Sequence, residues 1–97
     1  MKIHHVVFYR FRPGCDRIEE HLAAIQKFRD RTQGLLDLKC GKNLHPSSTR
    51  KYTHGFLMIF ASPADLEMYH RSKGHQELVD AFKSDIEDKA IFDLEAP

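Results

Sequence analysis

Two stretches of this chain are apolar on both parities. In Lys2 to Phe11, Ile3, Val7, Tyr9 and Phe11 fall on one side of an extended backbone, and Val6 and Phe8 fall on the other. In His54 to Ala61, Phe56, Met58 and Phe60 alternate with Leu57, Ile59 and Ala61. A strand with two apolar faces has to be covered on both, so each belongs in the middle of a layered sheet. Two further stretches alternate in the ordinary way: Leu36, Leu38 and Cys40 against Asp37 and Lys39, and Ala90, Phe92 and Leu94 against Lys89, Ile91, Asp93 and Glu95. These read as half-wet edge strands.

Between the strands the period changes to that of a helix. Arg12-Pro13-Gly14 ends the first strand, and Asp16 with Glu19 has the form of a capping residue and its reciprocal partner. Ile18, Leu22, Ile25 and Phe28 then make one stripe, and Gly34 is placed to end the helix in a left-handed conformation. Lys42 to Thr53, with Asn43, Pro46, Ser47 and Ser48, reads as a long loop and candidate mobile flap. Ser62-Pro63-Ala64-Asp65 opens a short helix carrying Leu66, Met68 and Tyr69. Gly74 is expected to interrupt it, and a second stretch from His75 to about Asp88 puts Leu78, Val79, Phe82 and Ile86 on one side.

The resulting order, β-α-β-β-α-β, predicts an α+β fold of the ferredoxin-like, split βαβ kind: a four-stranded antiparallel sheet with strands one and three central. Helices cover only one face of such a sheet. With 97 residues the chain makes a single domain spanning 1–97, with a modest core. Val6, Phe8, Leu57 and Ile59 would be left on the bare face, an unusually large apolar patch for a monomer. A second copy, packed sheet to sheet as a dimeric α/β barrel, is the economical cover, so a homodimer through the sheet faces is expected.

Composition excludes other classes. Fifteen Lys and Arg against fourteen Asp and Glu leave a net charge of +1 with no basic block, so no nucleic-acid partner is expected. The longest apolar run, Phe56 to Ala61, is far short of the roughly 20 residues that cross a bilayer, and no membrane partner is expected. The start, with His4, His5 and Arg10, does not read as a signal peptide, so a cytoplasmic location is the expectation. Cys15 and Cys40 lack CxxC spacing and read as free thiols, Cys15 lying near a helix start that would favour thiolate. Seven histidines are the groups that titrate near neutrality.

Taken together, His5-Val6-Val7-Phe8-Tyr9-Arg10-Phe11-Arg12-Pro13-Gly14, Gly41-Lys42-Asn43, Tyr52-Thr53-His54-Gly55-Phe56, Asp65-Leu66-Glu67-Met68-Tyr69, Gly74-His75-Gln76-Glu77-Leu78-Val79 and Ile91-Phe92-Asp93 resemble the stress-responsive dimeric α/β-barrel (Dabb) family. The likeness spans nearly the whole chain. It implies a ferredoxin-like dimer, and it takes in both plant stress proteins without an assigned reaction and a polyketide (olivetolic acid) cyclase. That cyclase performs an intramolecular aldol condensation without metal or cofactor. Its working tyrosine and histidine, six residues apart, correspond to Tyr69 and His75, with His5 and His54 at supporting positions. Val7, Phe56, Met58 and Leu78 correspond to the pocket wall. The family's His-Pro-x-His is Ser72-Lys73-Gly74-His75 here, so only its last histidine is kept.

On chemistry, His75 would be a general base toward a carbon acid flanked by carbonyls, and Tyr69 would donate to the developing enolate oxygen. Neither needs a cofactor, and no metal is expected. His5 and His54 are expected at the same end of adjacent central strands, facing the helices. The bland alternatives are that His75 is a helix-start residue bonded to backbone and Tyr69 a core aromatic with its hydroxyl at the rim. His4 is expected on the opposite face, and His21, His45 and His70 are expected to be solvated. A small-molecule ligand and a non-catalytic structural role stand as the two competing functions.

Overall fold

The computed structural model describes all residues, Met1–Pro97. Four strands, β1 (Lys2–Phe11), β2 (Leu35–Lys42), β3 (His54–Phe60) and β4 (Ile86–Ala96), and three α-helices, α1 (Ile18–Gln26), α2 (Pro63–His70) and α3 (Lys73–Phe82), follow one another in the order β1-α1-β2-β3-α2-α3-β4. The strands form one antiparallel sheet in the order β2-β3-β1-β4. The two doubly apolar strands are therefore central, and the architecture is the α+β ferredoxin-like one. Ile3, Val7, Tyr9 and Phe11 of β1 and Phe56, Met58 and Phe60 of β3 meet Ile25, Phe28, Tyr69, Leu78 and Phe82 from the helical side in one core. No helix is long and apolar enough to cross a membrane.

The other face carries no helix. Phe8 (41% exposed), Phe92 (62%) and Leu94 (46%) stand there beside the half-buried Val6, Leu57 and Ile59. Register explains the grouping, because Val6 lies opposite Leu57 on one side and Phe92 on the other.

Several boundaries differ from the sequence expectation, each for a local reason. Arg12, Pro13, Gly14 and Cys15 close a tight turn in which Cys15 N–H donates to the Arg12 carbonyl (3.1 Å) and Gly14 takes φ +80°. That turn delays α1, so Arg17 rather than Asp16 precedes it, with no side-chain cap. Helix α1 stops at Gln26, and single turns carry the chain on to Gly34 at φ +78°, where a Cβ would lie 2.2 Å from the Asp65 carboxyl carbon. In β2, Leu35 pairs with Phe60 and Asp37 with Ile59, so Leu36 is an extra residue thrown out to 55% exposure and Leu35 takes the inward place. The break between α2 and α3 is made by Ser72, whose hydroxyl accepts from His75 N–H (3.1 Å); Gly74 lies inside α3 against the Phe28 ring. Helix α3 ends at Phe82, and Ile86 opens β4 opposite Phe11. The 42–53 loop is tied internally: the Asn43 side-chain amide donates to Thr49 Oγ1 (2.6 Å) and to the Tyr52 carbonyl (2.7 Å).

Of the three histidines read as solvated, only His45 is. His21 is 5% exposed, stacked on Phe11 and bonded through Nε2 to Asp85 Oδ2 at 2.6 Å. His70 is half-buried at the end of α2.

Candidate functional site

The capped break at Ser72 is what brings Tyr69 and His75 together. Tyr69 comes from the last turn of α2 and His75 from the first turn of α3. The Ser72 hydroxyl accepts from His75 N–H and donates to the Tyr69 carbonyl (2.7 Å), and the two rings stand edge to face with centroids 4.9 Å apart. His75 Nδ1 donates to the His70 carbonyl at 3.1 Å. A carbonyl only accepts, so Nδ1 carries the hydrogen and Nε2 keeps its lone pair. Thus the bland reading of His75, a helix-start residue bonded to backbone, holds for its Nδ1, and that same bond prepares Nε2 as a base.

His5 joins the group from β1. It is 2% exposed, and its Nδ1 donates to Asp93 Oδ1 at 2.5 Å across the β1–β4 pair, where the two residues are direct partners. Its ring lies 6.0 Å from that of Tyr69 and 5.0 Å from that of His70, which in turn is 5.1 Å from His75. His5, His70 and His75 therefore form a chain of three imidazoles anchored by a carboxylate. Burial, followed by the neighbouring His70, holds His75 below the usual histidine range; burial, followed by His5, does the same to His70. Both are neutral bases at neutral pH. Burial pushes the Tyr69 phenol up, so it stays protonated as a donor.

The Tyr69 hydroxyl has no partner. The residue is 3% exposed and its oxygen is buried without a hydrogen bond, not at the rim as the sequence suggested. Tyr69 also borders a cavity of about 330 Å³ with Phe28, Arg31, Met68, Ser72 and Gly74.

Not every expected residue is nearby. His54 pairs with Tyr9 whereas His5 pairs with Met58, because the strands run antiparallel. Four residues of strand, about 13 Å, therefore separate the two histidines. His54 packs instead against Phe11 (5.3 Å), with Nδ1 buried and unpartnered and its basicity lowered first by burial and then by Lys42. Val7, Phe56, Met58 and Leu78 lie within the core; Met58 is opposite His5 and Phe56 is 5.7 Å from its ring. A second hollow, of about 440 Å³, lies on the uncovered side of the sheet around Phe8, Tyr52, Leu57 and the facing Gly41 and Gly55.

Sequence reasoning missed His70 and Asp93. Asp93 had a usable signal, since it shares a parity with Ile91 and a cross-strand place with His5. His70 had none, because its position depends on the helix break.

The comparisons agree with this architecture. Among solved structures, a dimeric ferredoxin-like protein of unknown function from Jannaschia sp. CCS1 is 23% identical, with a TM-score of 0.86 over 99% of this chain and 100% of its own. Hydroxynitrile lyase from Passiflora edulis is 20% identical, with a TM-score of 0.87 over 99% and 94%. The cofactor-independent oxygenase SnoaB from Streptomyces nogalater is 9% identical, with a TM-score of 0.79 over 98% and 92%. No curated protein matches the sequence. Identities this low show a shared fold. The sequence model of the Stress responsive A/B Barrel Domain, however, matches residues 3–96, and the chain belongs to that family, Dabb.

Proposed function

We propose that this Dabb protein is a homodimer that binds a small organic molecule beside Tyr69 and His75 and carries out cofactor-independent acid/base chemistry on it, of the cyclase or isomerase kind. The orphaned Tyr69 hydroxyl carries the reading. A buried phenol with no partner, bordering a cavity, is a donor waiting for an acceptor. In an intramolecular aldol step, His75 Nε2 removes a proton from a carbon between two carbonyls, and the electron pair moves to the carbonyl oxygen, to which Tyr69 donates. The enolate carbon then bonds to a second carbonyl carbon of the same molecule, whose oxygen takes the proton back. His5, its Nδ1–H held by Asp93, offers an Nε2 lone pair that accepts a hydrogen from a substrate hydroxyl or enol, and Val7, Phe56, Met58 and Leu78 form the apolar core behind the site. His54, at the far end of the strand pair, would meet only a long substrate.

The dimer rests on the uncovered face of Phe8, Phe92 and Leu94 and on the dimeric description of the Jannaschia protein and of a similar one from Thermobifida fusca. One observation favours a second, non-catalytic reading. Val7, Phe56, Met58 and Leu78 are packed within the core, as a structural oligomer would require.

Exchange of the α-hydrogens of an acetoacetyl thioester for deuterium, followed by NMR, separates the two. The native protein should exceed the buffer rate, His75→Ala should fall by roughly 10² to 10⁴ and Tyr69→Phe by about 10². A His75→Ala protein that folds and exchanges at the native rate assigns the scaffold role.

A further inference from the structure

At the opposite end of the core from the Tyr69 site, three side chains of metal-ligating type converge from three separate segments. Cys15 comes from the turn after β1, His21 from the first turns of α1, and Asp85 from the turn between α3 and β4. One ligand atom from each lies within 4.8 Å of the other two. Tetrahedral zinc, at about 2.0 to 2.3 Å from its ligands, holds them roughly 3.3 to 3.8 Å apart, so a small inward movement closes the set. We propose that Cys15, His21 and Asp85 form a binding site for a divalent ion of the Zn²⁺ class, with three protein ligands and a fourth position for water.

The surroundings fit that chemistry. His21 is buried between the Phe11 ring, stacked at 5.7 Å and 9°, and the Phe82 ring at 4.3 Å, so its imidazole is fixed without a rotamer search. A thiolate, an imidazole and a carboxylate are the donors Zn²⁺ prefers, and together they neutralise its charge. The backbone is already tied at this point, with Arg12 N–H donating to the Asp85 carbonyl at 2.8 Å. Arg17 now supplies the cation: its guanidinium meets Asp85 Oδ2 at 2.7 Å. Because the Arg17 side chain is 48% exposed, it can swing into water as the ion takes its place. Zn²⁺ bonds to the Cys15 sulfur, the imidazole nitrogen and the carboxylate, the thiol proton leaves to solvent, and no redox partner is needed. The Arg17–Asp85 and His21–Asp85 contacts are the competing occupants.

Cobalt substitution tests this on the full chain. One equivalent of Co²⁺ should give a thiolate-to-cobalt charge-transfer band, displaced by Zn²⁺, and Zn²⁺ should raise the melting temperature. Cys15→Ser should abolish the band and weaken Zn²⁺ binding at least roughly tenfold, with Cys40→Ser as the unchanged control. Asp85→Asn, checked for folding by circular dichroism, should weaken binding without removing the band. Absence of stoichiometric binding overturns the proposal. So does a cobalt complex that has no thiolate band, survives Cys15→Ser and disappears in His70→Ala, since that places the ion among His5, His70 and His75.

Discussion

At the scale of single residues, the histidines divide into those whose burial costs them basicity and those held by a carboxylate. His54, His70 and His75 all lie below the ordinary histidine value, burial being the first cause in each. Between that lowered value and the ordinary one near 6.5, the unfolded chain binds protons that the folded chain refuses, so stability falls as pH drops through this window. Asp85, lowered first by its bond from His21, works in the same direction at more acidic pH. Thermal melts should therefore lose melting temperature steadily from about pH 7 to about pH 5, and His54→Gln should flatten part of that slope. A melting temperature independent of pH over this range would contradict the burial assigned to these rings. Sequence pattern put Tyr69 on the short helix, His75 at the start of the next and His5 on the helix-facing side of β1, because parity and period act over short distances; their grouping came from the family resemblance. It misplaced His54, since which end of β1 it meets is a property of the pairing, and it missed His21, whose burial depends on Asp85 arriving from 64 residues away.

At the scale of elements, the hinge between α2 and α3 is a single hydroxyl. Ser72 accepts one bond and donates another, and the approach of Tyr69 to His75 depends on the turn it closes. Ser72→Ala should cost about 1 kcal/mol, read as a fall in melting temperature of roughly 4 to 8 °C. Ser72→Asp keeps an acceptor at the cap and should recover most of that loss. Equal losses would assign the effect to the bond donated to the Tyr69 carbonyl. The doubly apolar β1 and β3 were legible because they need no partner to be recognised. The exposed Leu36 was not, since a bulge exists only relative to the strand opposite: the same Leu-Leu-Asp-Leu run fits either register until Phe60 and Ile59 choose one. Likewise the early end of α3 follows from Ile86 being claimed by Phe11.

At the scale of the molecule, the sheet has one face covered by helices and one still apolar. If a second copy covers it, a charge placed at its centre should leave each subunit folded and separate the pair. Leu57→Glu together with Phe92→Asp should sediment as a monomer with an unchanged far-ultraviolet spectrum, and the native chain should sediment as a dimer at micromolar concentration. A native monomer would remove the dimer from the proposed function. That one face stays apolar and free of helices was legible from alternation alone. What the sequence did not reveal was the depth of that face, where Gly41 and Gly55 lie opposite each other and leave a hollow beside Phe8.

The alternation along β1 has a further consequence. His5 faces the imidazole chain and Val6 faces the uncovered side, so two neighbouring residues on one pleat report to different masters. If a second copy covers that face and a ligand enters beside Tyr69, movement of β1 would couple the two events, and by reciprocity each would shift the other's equilibrium by the same factor. With a favourable coupling, dilution would act as an antagonist: lowering the protein concentration would loosen the ligand with no competitor present.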